Sequence, residues 1–239
     1  MRRRNRSTCT AALEQELQRL GYRFIAGVDE VGRGAWAGPV IAAAVILDLD
    51  RLPEGLDDSK RLSRSRREAL YDAIRHTARA LALGIVDAAE IDRTNIRRAT
   101  ERAMRAAIAG LHPRPDYLLI DAVSLPDVNI PQRAIIRGDQ LSVSIAAASI
   151  LAKVTRDRLM REYDRLYPGY GFARHVGYGT RAHQQALMRL GPCPIHRLSF
   201  RGVAPSRSES DVLCRRAARL DLAPATAETE ADRTPPKGR

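Results

Sequence analysis

Cysteine, lysine and long apolar runs are all scarce in this chain of 239 residues, and each shortage removes a class of protein. Cys9, Cys193 and Cys214 are odd in number, widely separated and without metal-ligand spacing. That argues against a disulfide framework or a zinc site and fits a reducing cytoplasm. No apolar run approaches the ~18 residues of a membrane-spanning helix. The basic start Met1-Arg2-Arg3-Arg4-Asn5-Arg6 is not followed by the apolar segment of a secretory signal. No histidine has a serine or cysteine partner at meaningful spacing, so a nucleophile triad is not expected. His76 and His112 read as surface residues, while His175, His183 and His196 fall where the C-terminal part would border a substrate.

Lysine occurs only at positions 60, 153 and 237, so 37 of the 40 basic side chains are arginines. Lysine is a compact, rotatable point charge and arginine a planar fork. The two lysines kept in the body, Lys60 and Lys153, therefore draw attention. The formal charge is +12, and residues 205–239 carry seven basic and six acidic groups, so 12 minus 1 leaves +11 on residues 1–204. A basic body of this kind suits a polyanionic partner. The segment 205–239 is poor in apolar residues and reads as a largely disordered tail, with Val212–Leu222 as its one helical stretch. Residues 1–12 read as a flexible basic arm, which leaves 13–204 as the body.

Within the body, strands are expected at Phe24–Asp29, Val40–Leu47, Leu81–Val86, Tyr117–Asp121 and Ala134–Ile136. Helices are expected over Ala11–Leu20, after the capping-box spacing Ser65-Arg66-Arg67-Glu68, from Asp92 or Thr94 to Gly110, over Val143–Leu159 and over Thr180–Leu190. Strands first, then alternating helix and strand, predict an α/β fold with a mixed sheet flanked by helices.

The most informative stretch is Ile25-Ala26-Gly27-Val28-Asp29-Glu30-Val31-Gly32-Arg33-Gly34. An apolar run ends in two carboxylates able to hold a hard divalent cation. A Gly-Arg-Gly turn follows, where backbone can approach a phosphate or sugar and an arginine can pair with phosphate. Adjacent strand residues point to opposite faces, so for Asp29 and Glu30 to serve one site the strand should end or bulge there. Asp121 closes a second strand and Asp139 follows a third apolar stretch. Strand ends of an open sheet lie together, so Asp29, Glu30, Asp121 and Asp139 are candidates for one metal site. The absence of Cys/His clustering favours Mg²⁺ or Mn²⁺, and two such ions can stabilise both oxygens of a phosphodiester displacement.

The chain resembles the ribonuclease HII family, the prokaryotic type 2 ribonucleases H. Gly27-Val28-Asp29-Glu30-Val31-Gly32-Arg33-Gly34 matches its hallmark run, and Asp57-Asp58-Ser59-Lys60 its Asp-Ser-Lys loop. Ala147–Asp157 resembles its long helix, and Gly169-Tyr170-Gly171-Phe172 and His175–Thr180 its C-terminal motifs. The resemblance covers roughly residues 13–203, in the family's order. It implies a ribonuclease H-like fold with a mixed five-stranded sheet and a C-terminal helical extension. It implies endonucleolytic cleavage of RNA in RNA–DNA hybrids, and cleavage 5′ of single ribonucleotides in duplex DNA, leaving 3′-hydroxyl and 5′-phosphate ends. Asp29, Glu30, Asp121 and Asp139 would be the catalytic metal-binding carboxylates, with Mn²⁺ or Mg²⁺. Gly32, Arg33 and Gly34 would read the ribose 2′-hydroxyl, Lys60 would contact substrate, and Tyr178 would stack on the adjacent deoxyribose. A monomeric cytoplasmic enzyme without membrane attachment is expected. Leu198, in His196-Arg197-Leu198-Ser199-Phe200, stands where the family often has a second arginine. Other nucleases or strand transferases on this fold would not need the Gly-Arg-Gly turn, and a non-catalytic hybrid binder would have lost a carboxylate.

Overall fold

Two glycines decide how closely helices lie on this sheet. In the computed structural model, which describes residues 9–204, a Cβ on Gly27 would sit 2.0 Å from the backbone carbon of Ser144. A Cβ on Gly84 would sit 1.9 Å from the carbonyl oxygen of Ala103. The first contact seats helix α5 (Val143–Leu166) on strand β1 (Ile25–Val31), and the second seats α4 (Ile96–Ala109) on β3 (Ala80–Val86). Between β1 and β3 runs β2 (Val40–Ile46), buried along its whole length, whose alanines at 42, 43 and 44 let both helices approach.

The sheet is completed by β4 (Tyr117–Asp121) and β5 (Gln132–Ile135) in the order β3-β2-β1-β4-β5. β1, β2 and β3 are antiparallel, while β1, β4 and β5 are parallel, so the sheet is mixed and five-stranded. Residues on one face alternate with those on the other. Val28, Ala42, Leu118 and Ile120 meet Ala103, Met104 and Ala107 of α4. Ala43 and Val45 meet Ala147, Ile150 and Leu151 of α5, with Leu70 and Ile74 of α2 (Arg64–Thr77). The N-terminal helix α1 (Ala12–Arg19) presents Glu14, fully buried, to Ser142 and the Ser144 N–H at the start of α5. A C-terminal helical extension, α6 (Phe172–His175) and α7 (Arg181–Leu190), packs around Phe172 and Met160.

Several boundaries differ from the sequence reading. The cap of α2 is Ser63, whose hydroxyl accepts from Arg66 N–H, and not Ser65. The earlier start brings Arg67 round to bind the carbonyls of Ser59 and Leu62. A separate short helix, α3 (Ala88–Arg93), precedes α4, which Asn95 caps through Arg98 N–H. α5 continues to Leu166, seven residues past the expected end at Leu159. Thr10, assigned to the flexible arm, pairs with Ser142. Residues 1–8 and the tail, with its Val212–Leu222 stretch, lie outside the described residues. Among the described residues no helix is long and apolar enough to cross a membrane.

Candidate active site

β1 neither ends nor bulges at its carboxylates, contrary to expectation. It runs on to Val31, with Asp29 opposite Ala43 and Glu30 opposite Ala42. Asp29 therefore starts from the α5 face and Glu30 from the α4 face. They can still serve one site because β1 loses its partner on the other side. The β1–β4 pairing stops at Val28 and Ile120, and Asp121 lies just beyond it. Asp139 is likewise not at a strand end. It sits in a one-turn 3-10 segment, Gly138–Gln140, entered through Arg137 in the left-handed region. Gly138 N–H donates to Asp121 Oδ1 at 2.7 Å, which ties this turn to β4.

Electrostatically the four carboxylates are set against one another. Asp29 is 5 % exposed, and burial, with repulsion from Glu30 and Asp121, raises its pKa well above the usual range. Glu30 is raised by burial and by Asp121, although Arg33 at 3.2 Å opposes the shift. Burial raises Asp121 and Asp139, and Asp58 adds like charge to both. Glu30 Oε2 is buried with no hydrogen-bond partner.

These are hard oxygen donors short of positive charge, which fits a divalent cation. Among the described residues, no three His, Cys, Asp or Glu side chains are drawn together tightly enough to hold an ion as they stand. The side chains take other partners. Asp139 Oδ2 lies 3.5 Å from Lys60 Nζ, and Glu30 turns to Arg33. Partial burial works against the charge on Lys60, yet Asp139, Asp58 and Asp29 together raise its pKa.

The Gly-Arg-Gly turn divides by exposure. Gly32 is buried, with φ +91°, and a Cβ there would strike the Arg156 side chain 2.3 Å away. Arg33 and Gly34 are exposed, and the space above Gly34 opens towards the Tyr178 ring, 4.0 Å from where a Cβ would be. Tyr178 is itself 37 % exposed. Beside Arg33 a cavity of about 300 Å³ opens, with Arg97, Thr100, Glu101, Val123 and Ser124 in its walls.

Other residues here had escaped the sequence reading. Asp58 is a fifth, buried carboxylate, accepting from Gln140 and from Lys60 N–H. Ser149 bonds at 2.8 Å to Ser59, and its hydroxyl opposes the upward shift of Asp29. Arg156 and Arg197 are fully buried and bind only backbone carbonyls in this region: Pro39, Ala37 and Val176 for Arg156, Gly38 and Arg33 for Arg197. The run Asp57-Asp58 and a lone serine at 149 among alanines were the available signals. Nothing in sequence marks two of thirty-seven arginines as internal. The histidines at 175, 183 and 196 are buried together and do not border the surface.

A sheet of this order, with carboxylates gathered at one end beside a basic, glycine-lined cleft, defines a metal-dependent nuclease of ribonuclease H-like fold. The Ribonuclease HII family profile matches residues 26–203. The chain is 56% identical over 187 residues to ribonuclease HII of Acetivibrio thermocellus, covering 78% of this chain and 73% of that one. It is 55% identical over 197 residues to ribonuclease HII of Geobacter sulfurreducens, covering 82% and 91%. The crystal structure of ribonuclease H2 from Pyrococcus horikoshii superimposes with a TM-score of 0.65 at 25% identity, over 76% of this chain and 95% of that one. The chain belongs to the ribonuclease HII family, divalent-metal-dependent endonucleases acting on the RNA of RNA–DNA hybrids.

Proposed function

We propose that this enzyme cuts the RNA strand of hybrids and also cuts 5′ of single ribonucleotides in duplex DNA, leaving 3′-hydroxyl and 5′-phosphate ends. One observation carries the reading. The exposed backbone at Gly34 faces the Tyr178 ring across a gap bordered by Arg33, directly after the carboxylates of β1. The 2′-hydroxyl is what separates RNA from DNA at one sugar, and reading it needs backbone or a small polar group close by.

Asp29, Glu30, Asp121 and Asp139 are the residues that would hold Mg²⁺ or Mn²⁺. Bound there, the cations would neutralise the phosphodiester and supply an activated water. The protein's own groups do the rest. Arg33 exchanges Glu30 for a substrate phosphate, and Lys60, 80 % exposed along its side chain, offers a mobile point charge at the Asp139 side. Gly32 acts from below, because its left-handed backbone turns Arg33 and Gly34 outward. Tyr178 stacks on the deoxyribose that follows the ribonucleotide. We also assign the protein to the cytoplasm and to a monomeric state, in keeping with its few, widely separated cysteines.

The test is a labelled duplex carrying one ribonucleotide, incubated with Mg²⁺, Mn²⁺ or EDTA, and the cut mapped at nucleotide resolution. Cleavage 5′ of the ribonucleotide with either ion and none with EDTA is the expected result. Cleavage only within continuous RNA would remove the single-ribonucleotide assignment.

A further inference from the structure

Behind Tyr178 three imidazoles form a closed cluster that the nuclease chemistry does not use. His183 is fully buried, His196 is 3 % exposed and His175 9 %. The His175 and His183 rings stack with centroids 4.4 Å apart, and Phe172 packs edge-on against both. Trp36 covers His183, and Tyr170 lies against His196.

The shorter hydrogen bond at each ring nitrogen selects one set of protons. His183 Nδ1 lies 3.0 Å from the carbonyl oxygen of Tyr178, which can only accept, so Nδ1 carries the proton. The bare Nε2 of His183 then accepts from Nε2–H of His196, 3.0 Å away. His196 Nδ1, now bare, accepts from Cys193 N–H at 2.9 Å, a shorter contact than the 3.2 Å to Cys193 O. His175 donates from Nε2 to Tyr170 O at 2.9 Å and accepts Gly177 N–H at Nδ1. All three rings are neutral. Charging His183 would set two N–H groups against each other across 3.0 Å. Burial lowers the pKa of His183 to about 4, and that of His196 moves the same way.

Tyr178 sits between Gly177 and Gly179, so local chain stiffness cannot aim its ring. The aim comes from backbone contacts. Its N–H donates to His175 O at 2.9 Å, and its carbonyl accepts from Thr180 N–H at 2.8 Å and from His183. We infer that His183, held in its Nδ1–H tautomer by His196, is a positioning residue that aims Tyr178 at the RNA-to-DNA step. The inference rests on the reading of Tyr178 proposed above, and it assigns discrimination between substrates, not turnover, to the histidine cluster.

Cleavage of a single-ribonucleotide duplex and of a continuous hybrid is compared for wild type, His183→Leu, His183→Asn and Tyr178→Ala. His183→Leu is expected to lower single-ribonucleotide cleavage about tenfold relative to hybrid cleavage. His183→Asn, whose amide N–H can reach the same carbonyl, is expected to recover the ratio to within about threefold. An unchanged ratio in His183→Leu, or equal losses on both substrates, overturns the inference. If Tyr178→Ala itself keeps the wild-type ratio, the reading of Tyr178 fails. Amide exchange at residues 177–180 then decides the positioning claim, with faster exchange in His183→Leu but not in His183→Asn expected, and no difference overturning it. Should His183→Leu not fold, imidazole ¹⁵N shifts of the wild type at pH 7 decide. Protons on Nδ1 of His183 and Nε2 of His196 are expected, and the opposite tautomers refute the inference.

Discussion

Gly27→Ala and Gly84→Ala introduce the same methyl group on opposite faces of one sheet, and the fold separates their consequences. In Gly27→Ala the new Cβ falls 2.0 Å from Ser144 C and 2.2 Å from its oxygen, both backbone atoms of α5. Ordinary contact begins near 3.4 Å, so α5 must retreat from β1 by about 1.4 Å. In Gly84→Ala the clash is 1.9 Å with Ala103 O, and α4 must retreat by a similar amount. Overpacking against backbone costs about 1–3 kcal/mol or more, which for a domain of this size lowers Tm by roughly 2–12 °C. Both variants should melt earlier by that amount.

Activity should part them. α5 carries Ser149, whose hydroxyl acts on Asp29, and begins directly after the turn holding Asp139. A shift of about 1 Å between catalytic groups can cost on the order of 10²-fold in rate, so Gly27→Ala should lose about that much at a temperature where it remains folded. α4 carries none of the four carboxylates, and Gly84→Ala should keep activity within about threefold of wild type. The assay is hybrid cleavage under saturating metal, normalised to the folded fraction by circular dichroism. Equal losses of activity in the two variants would refute the reasoning that the seat of α5, and not that of α4, sets the carboxylate geometry.

Asp121→Asn should abolish cleavage while the protein stays folded and still binds hybrid, because the change removes charge without opening the core; retention of a tenth of wild-type turnover or more would sink the metal assignment. Arg197→Met removes three hydrogen bonds to Gly38 O and Arg33 O and should cost about 2–4 kcal/mol in urea unfolding, with weaker substrate binding. His183, with a folded pKa of about 4 against 6.5 when unfolded, favours the folded state fully above pH 6.5 and progressively less as the pH falls to 4, by at most about 3 kcal/mol. Asp29, Asp121 and Asp139, with raised pKa values, act in the opposite sense. The difference between wild type and His183→Asn, measured by thermal melts from pH 7 to 4, isolates the histidine and should shrink on acidification.

Strands were legible because their cores are short apolar runs between polar breaks, and Val40–Ile46 and Tyr117–Asp121 fell within a residue of expectation. Helix starts were less so. Ser63 and Ser65 can each cap a helix, and only the tertiary contacts of Arg67 with Ser59 and Leu62 favour the first. The carboxylates were identifiable as residue types, but their geometry was not. Whether Asp29 and Glu30 can share a site depends on where β4 stops pairing with β1, a register between segments some ninety positions apart. The burial of the histidines beside Tyr178 was not legible for a related reason, since only a complete set of donors and acceptors makes burial of a polar ring tolerable.

The two internal arginines show how the carboxylate end of the sheet and the Tyr178 loop are held as one unit. Neither has a carboxylate partner among the described residues, so neither is an ion pair of the ordinary buried kind. Burial lowers the pKa of both, and in Arg197 the like charge of Arg156 adds to the effect. That is a substantial desolvation cost. What offsets it is the number of backbone carbonyls each fork can collect. Arg156, from α5, binds Pro39 O at 2.9 Å, Ala37 O at 3.0 Å and Val176 O at 2.8 Å, and its guanidinium lies 5.6 Å from the Tyr178 ring. Arg197 binds Gly38 O and Arg33 O. The helix α5 is thus tied through one planar cation to Ala37 and Pro39, just past the Gly-Arg-Gly turn, and to Val176 in the Tyr178 loop, while Arg197 holds the turn itself at Arg33. A lysine could not make this junction, having a single nitrogen and stronger hydration.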